Sequence, residues 1–589
     1  MKKKAIVGAV AGLSVLSLAL TGCAGGSSNT DNGRGTPVKG GTITWLDVQG
    51  QFEATDPAAV YLGSEIAALR RTVYRGLTAL PATNDPNPKP IADLATDTGT
   101  TPDSGKTWSF TLKDGVTWQD GSQITCEDLQ YGLSRSFDAD IVSLGGGVGT
   151  TYMAQYGLYD PEAPDFDISA EYTGPFTGSA DAQKHFNNAA SCSDDNKTIT
   201  YHFKNPWPDF AYAAAALFST DPYQKSFDKG TANQWLINSN GPYKFEGKFD
   251  NNGLNEFVRN ENYDPKTDSV DARGAYPDTI KFEFVADQDT VTERLLADSG
   301  DDQTALTPGN IPASKYSLIS SALSNRVKQT TSPYTRFLQI NSVRMSDPDL
   351  RRALVVATNR DGVIQAWGGE NYGTPSTTIV SSAVAGYQEN AATKGDKTSG
   401  DPEAAKALLK KAGKEGYELA YAFPDTPTNQ KIAAVLQQSW EAAGFKVVLN
   451  PIAKTAKPGY YAQMLQKDKA IDVFQSGWAA DWPALFAVIP PILQSNPADS
   501  TTGVGFNYGF YSNAEVDKLI AEATASTDPA EQIKKLQKAD EIAGADGAYV
   551  PILNQKNYFI YGSKVGGFLP DVAMSFYPDL GAAYVVSSK

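Results

Sequence analysis

The sequence predicts an α/β fold divided into two or three lobes, and three observations carry that expectation. Residues 417–423 and 445–449 read as strands flanking a helix over about residues 428–443, a unit that implies a right-handed crossover and a parallel strand pair. Residues 108–112 alternate as a strand, Lys113-Asp114-Gly115 turns, and Val116-Thr117-Trp118 begins another strand that stops at Asp120-Gly121. A chain of 589 residues also exceeds what one hydrophobic core usually organises.

At the N-terminus, Lys2, Lys3 and Lys4 precede an uncharged, mostly apolar run from Ala5 to Leu20 that ends in Leu20-Thr21-Gly22-Cys23. This is the layout of an export signal. The run is about 16 residues, short of the roughly 20 that a membrane-spanning helix needs. Leu-Thr-Gly-Cys looks like a lipobox, in which the cysteine thiol receives a diacylglyceryl group and becomes the first mature residue. Residues 1–22 are therefore expected to be removed and Cys23 to carry the lipid, whose two acyl chains anchor stably where one would not. Residues 23–39 hold almost nothing to bury and are expected to form a flexible tether.

Loss of residues 1–22 takes away three lysines and leaves 48 basic against 67 acidic residues, a formal charge of −19. Nucleic acid and anionic lipid are poor partners for such a surface. With Cys23 acylated, Cys126 and Cys192 remain, and outside the cytoplasm an isolated pair is more often bridged than free. Two free buried thiols are the alternative.

Enzymatic signatures fail on geometry. Gly105-Lys106-Thr107 resembles the end of a phosphate-binding loop, but Thr100 stands where the leading glycine belongs and a strand follows. Gly145, Gly146, Gly147 and Gly149 lack dinucleotide spacing, since Thr150 occupies the place of the last glycine. His185 and His202 are the only histidines, which leaves little for zinc hydrolysis or a His-based triad. Carboxylate pairs of the glycosidase kind stay open in so acidic a chain, although clusters such as Asp301-Asp302 read as solvated surface. No catalytic residue, metal site or cofactor is expected.

Thr125 with Asp128 makes an acidic capping box, opening a helix through Leu129, Leu133 and Phe137. Asp401 caps a helix with Pro402 in its first turn, Ala405, Leu408, Leu409 and Ala412 on its apolar face, and Gly413 at its end. Residues 471–475 read as a strand running into the loop Ser476-Gly477-Trp478-Ala479-Ala480-Asp481-Trp482-Pro483. Ligands gather beyond the carboxyl ends of strands in open α/β sheets, so a site is expected in this loop.

These stretches carry a family resemblance. Residues 108–129, WSFTLKDGVTWQDGSQITCEDL, closely resemble the signature of peptide-type extracellular solute-binding proteins (family 5), usually with alanine where this chain has Cys126. Asp56-Pro57 followed by Tyr74-Arg75-Gly76-Leu77 looks like the family's opening segment, and Ser239-Asn240-Gly241-Pro242-Tyr243 like its G-T-G-P-Y. Residues 347–361 resemble its helix rich in Arg and Ala, with Asn359 in place of the usual aspartate, and residues 513–524 its N-x-E-V-D-x-L-I segment. The resemblance spans roughly residues 40–570.

The resemblance implies a periplasmic-binding-protein-like fold with two main α/β lobes, a hinge and an inserted domain. Lobe one is expected at residues 40–80, 210–329 and 554–589, the inserted lobe two at 81–209, and lobe three at 330–553. Lobes one and three would close over a ligand like a hinged trap. The implied function is that of a monomeric, lipid-anchored protein on the outer face of the cell membrane, capturing short peptides for the permease subunits of an ABC importer. In relatives the backbone of a G-W-x-x-D loop pairs with the peptide and its aspartate meets the ligand's ammonium group, which here points to Gly477, Ala479 and Asp481. Trp478, Trp482 and Tyr61 are expected as cleft walls or as core packing. Some oligopeptide binders carry a basic residue two positions before that glycine, but this chain has Gln475, so their carboxylate clamp does not carry over. The same scaffold binding an oligosaccharide, an opine or a metal chelate, or serving as a signalling or chaperone-like lipoprotein, remains an alternative.

Overall fold

The computed structural model describes residues 37–145, 151–496 and 505–586. The export segment, Cys23, the tether up to residue 36 and the glycines Gly146, Gly147 and Gly149 lie outside the described residues.

Strand β1 (Thr42–Val48) starts the first sheet and is buried along five consecutive residues, as suits a strand with parallel neighbours on both sides. The chain then leaves for a second lobe built on β2 (Thr107–Thr111), β3 (Ala190–Cys192) and β4 (Thr198–His202), an antiparallel sheet in the order β2-β4-β3. The helix Cys126–Arg135 packs against it, and its start matches the sequence reading: Thr125 Oγ1 accepts from Asp128 N, and Thr125 N donates to Asp128 Oδ2 at 2.9 Å. Cys126, the first residue of that helix, is disulfide-bonded to Cys192 at the end of β3, with a Cα–Cα distance of 5.7 Å. Val116-Thr117-Trp118 forms no strand. Trp118 N donates to Ser122 O at 2.9 Å, so the two Asp-Gly turns leave room for only a bridge between Thr117 and Gln123.

The chain returns to the first sheet with β5 (Tyr243–Lys244), β6 (Leu254–Arg259), β7 (Thr279–Val285) and β8 (Ala305–Leu306), giving the order β8-β1-β7-β6-β5. Lobe one is thus discontinuous in sequence. The third lobe is built on β9 (Val327–Ile340), β10 (Gly373–Pro375), β11 (Glu418–Pro424), β12 (Lys446–Ile452), β13 (Val473–Ala479) and β14 (Tyr549–Ile560), in the order β10-β14-β9-β13-β11-β12. β11 and β12 run parallel, in register from Glu418 opposite Lys446, with the helix Pro427–Ala442 between them. Asn359, standing where the family has aspartate, still caps the helix Arg360–Trp367 by accepting from Gly362 N.

β9 and β14 join lobes one and three. Near Leu338, Ile340, Val550 and Ile552 they belong to the lobe-three core, whereas Val327, Tyr558 and Ile560 pack with Leu46, Val291 and Leu295 of lobe one. Their register breaks between Thr331 and Thr335, where Pro333 has no N–H to offer a ladder. Such a break bends the strand pair and makes a natural hinge. The lobe divisions expected at 329/330 and 553/554 fall inside these strands, because each serves both lobes. The helix Phe210–Ala216, expected at the re-entry to lobe one, packs its Phe210, Ala213 and Ala214 with Trp108, Phe110 and Tyr201 of lobe two.

Candidate functional site

A cavity of about 930 Å³ lies where the lobes meet. Tyr61 and Tyr577 of lobe one, Thr151 of lobe two, and Tyr334, Arg336 and Asp481 of lobe three all line it.

β13 supplies one wall. Sequence reading placed Gly477 in a loop, but pairing with β9 extends the strand to Ala479, in register from Ile340 opposite Val473 to Tyr334 opposite Ala479. Alternate residues of an antiparallel ladder turn their N–H and C=O toward the partner. Asn341 N donates to Asp472 O at 2.8 Å, which sets the even-numbered residues of β13 facing β9 and the odd-numbered ones facing away. Gln475 accordingly turns its carbonyl outward, to Tyr460 Oη at 2.8 Å. On that outer side β11 pairs only with Val473 and Phe474. The N–H and C=O groups of Gly477 and Ala479 therefore lie along an edge with no strand beside it, at the cavity. Glycine is required at 477, since a Cβ there would lie 2.9 Å from both Thr335 O and Tyr334 Cε1 and 3.2 Å from Arg336 Cδ.

Asp481 follows two residues beyond the strand. Tyr61 Oη donates to its Oδ1 at 3.4 Å and Tyr152 Oη donates to its Oδ2, so all three lobes touch this carboxylate. It faces the cavity and is the one carboxylate lining it among the described residues. Burial pushes its pKa up to about 7, against the opposing pull of the two tyrosine hydroxyls, and no lysine or arginine pairs with it among the described residues. A cation entering the cavity would therefore meet a half-buried carboxylate that lacks a countercharge.

Trp478 lines the cavity, its Nε1 donating to Ala487 O at 2.7 Å and its ring centre 4.0 Å from that of Phe506. Tyr61 lines it as well. Trp482 does not. Its ring is buried 4.7 Å from Tyr152 and 6.2 Å from Trp207, centre to centre, and its Nε1 donates to Asp209, so it plugs the junction of lobes two and three. An indole between two aromatic rings and a carboxylate has no face left for a ligand. Sequence reading missed Tyr152 and Arg336. Tyr152 is 329 positions from Asp481 in the chain, and nothing local distinguishes Arg336 from any polar residue of an alternating strand.

Among the described residues no three His, Cys, Asp or Glu side chains converge as metal ligands, and no helix is long and apolar enough to cross a membrane. His185 is engaged away from the cavity, with its Nδ1 2.7 Å from Asp160 Oδ2.

Comparison with known proteins agrees with this architecture. The glutathione-binding protein GsiB of Escherichia coli K12 is 24% identical over 527 residues, covering 86% of this chain and 89% of that protein. Among solved structures, the clavulanic acid biosynthesis oligopeptide binding protein 2 superposes with a TM-score of 0.79 at 21% identity, over 94% of this chain and 97% of the other. The periplasmic binding protein DppA of Helicobacter pylori, solved with the peptide STSA, gives a TM-score of 0.69 at 18% identity, over 93% and 99%. The sequence pattern of the bacterial extracellular solute-binding proteins, family 5 Middle, matches residues 89–500. Proteins of that family are non-enzymatic, extracytoplasmic substrate-binding components of ABC transporters, and by this match over most of its length the chain belongs to the bacterial extracellular solute-binding proteins of family 5.

Proposed function

We propose that this protein is a lipid-anchored receptor that captures short peptides in the cavity between lobes one and three and delivers them to the permease of an ABC importer. The observation that carries this reading is the open edge of β13. Every peptide offers the same backbone N–H and C=O groups, so pairing with Gly477 and Ala479 holds peptides of many sequences. Asp481, just past the end of that edge, receives the ligand's α-ammonium group. The peptides named for the relatives support the same class of ligand. Native mass spectrometry of the exported protein, purified without denaturation, tests the reading: a retained mass that fragments as a short peptide is expected, and a retained sugar or metal chelate would contradict it.

The anchor rests on Cys23 and the tether behind it. Cys23→Ser is expected to move the protein from the membrane fraction to the soluble one. A variant still sedimenting with membranes after a carbonate wash would show that the anchor lies elsewhere.

A further inference from the structure

Buried arginines in this chain are satisfied in two ways. Arg70, Arg71, Arg75, Arg135 and Arg273 each pair with a buried aspartate. Arg351 and Arg360 instead donate to backbone carbonyls. Arg326 uses both, and Arg336, half-buried at the cavity, follows neither pattern. It stands on β9 opposite Gly477, with its Cδ beside the space where a Cβ of Gly477 would lie, so its stem crosses the face of β13. Its Nε donates to Gln555 Oε1 at 3.2 Å, and its guanidinium carbon lies 4.6 Å from the centre of the Tyr334 ring. No Asp or Glu pairs with it among the described residues, and it is the one basic side chain among those described at the cavity.

A guanidinium has several N–H donors in a planar fork that matches a carboxylate, and its neutral partners Gln555 and Tyr372 engage only part of that fork. The rest of the cavity offers neutral groups except at Asp481. Arg336 therefore shows the incompleteness of Asp481 with the opposite sign. Resting on the peptide reading above, we infer that Arg336 receives a carboxylate of the ligand, so that the site selects a zwitterion whose charges are placed by Asp481 and Arg336. Asp481 lies four positions beyond Gly477, the residue opposite Arg336, which at about 3.3 Å per residue is roughly 13 Å. An extended peptide of about three or four residues spans that distance. Gln475, where some relatives carry a basic residue, gives its amide to Asn429 at 3.1 Å and takes no part in the cavity wall. The carboxylate has two sources in a peptide, its C-terminus or an acidic side chain.

Calorimetry with wild type and Arg336→Gln distinguishes them, using tetra-alanine, its C-terminal amide, and Ala-Ala-Glu amide. Wild type is expected to bind tetra-alanine about tenfold or more tightly than its amide, and Arg336→Gln to bind both as wild type binds the amide. If Ala-Ala-Glu amide is instead the tight ligand and loses that advantage in Arg336→Gln, Arg336 still takes a carboxylate, from a side chain. Equal binding of all three by wild type, or a preference for carboxylate that survives in Arg336→Gln, would overturn the assignment while leaving the peptide reading intact. Failure of wild type to bind any of them would remove the peptide reading and Arg336's role together. Arg336→Lys keeps the charge without the fork and is expected to retain only part of the preference. Should Arg336→Gln fail to fold, Arg336→Lys replaces it in the same titrations, and a full, undiminished preference in that variant would overturn the assignment.

Discussion

The junction of lobes one and two and the cavity each enclose a carboxylate and treat it in opposite ways. At the junction of lobes one and two Asp93 lies 2.8 Å from Arg75 Nε and 2.7 Å from Arg273 Nη2. Burial raises its pKa, but the two guanidinium groups more than offset that and hold it at about 2. Asp481 is held at about 7, with tyrosine hydroxyls for partners and no cation. Burial alone does not separate the two classes. Asp540 is also buried without a cation, at about 6, but it takes hydrogen bonds from Tyr549, Thr378 and Asn390 and belongs to the packed interior. Asp481 combines a missing countercharge with an open cavity and an unpaired strand edge. The contrast teaches that a missing countercharge points to a ligand site only where it coincides with an open cavity and a free strand edge.

The largest effect is expected at the junction of lobes one and two. Asp93→Asn leaves the buried guanidinium groups of Arg75 and Arg273 to share Asp268 as their one remaining carboxylate, and is expected to lower the stability of the ligand-free protein by about 3 to 5 kcal/mol in denaturant unfolding. Asp481→Asn breaks no ion pair and is expected to leave that midpoint unchanged or raised, because it removes a charge that burial disfavours. Equal destabilisation by both would erase the distinction between the two carboxylates.

Acidification gives a smaller effect of the same kind. The folded pKa of Asp481 is raised above its ordinary value, so its ionised fraction falls as pH drops below about 7, and with it the partner for an ammonium group. Peptide affinity is expected to weaken by about tenfold per pH unit from about pH 6.5 to 5. Asp93 works in the other direction: its folded pKa is depressed, so its contribution to stability holds above about pH 4 and fades only toward about pH 2. Binding is thus lost in a window where this ion-pair cluster stands. Affinity that stays flat from about pH 8 to 5 would place the ligand's amino end elsewhere.

How much of this was legible in the sequence depends on how local each determinant is. The capping box of Thr125 and Asp128 and the parallel pair around the helix Pro427–Ala442 lie within short stretches, and their residue patterns forecast them. The length of β13 was not legible, because Ser476 and Gly477 read as loop and become strand only through pairing with Phe337 and Arg336, far away in the chain. For the same reason the sequence left Trp482 open between cleft wall and core packing. Its burial comes from Tyr152, Trp207 and Asp209 of another lobe, contacts that no periodicity announces. Asp481 was legible through the family motif, but its want of a countercharge is a property of the folded surroundings alone.

The most direct measurement is calorimetry on four combinations: wild type and Asp481→Asn, each with a short peptide bearing a free or an acetylated N-terminus. If Asp481 holds the ammonium group, its replacement should weaken binding of the free peptide by roughly a hundredfold or more, given the cost of leaving one side of a buried pair. Acetylation should do comparable damage to the wild type and little more to Asp481→Asn, because both changes remove the same interaction. Additive losses, or tight binding of the acetylated peptide by the wild type, would contradict the assignment of Asp481 and make it a turn residue shared by the three lobes.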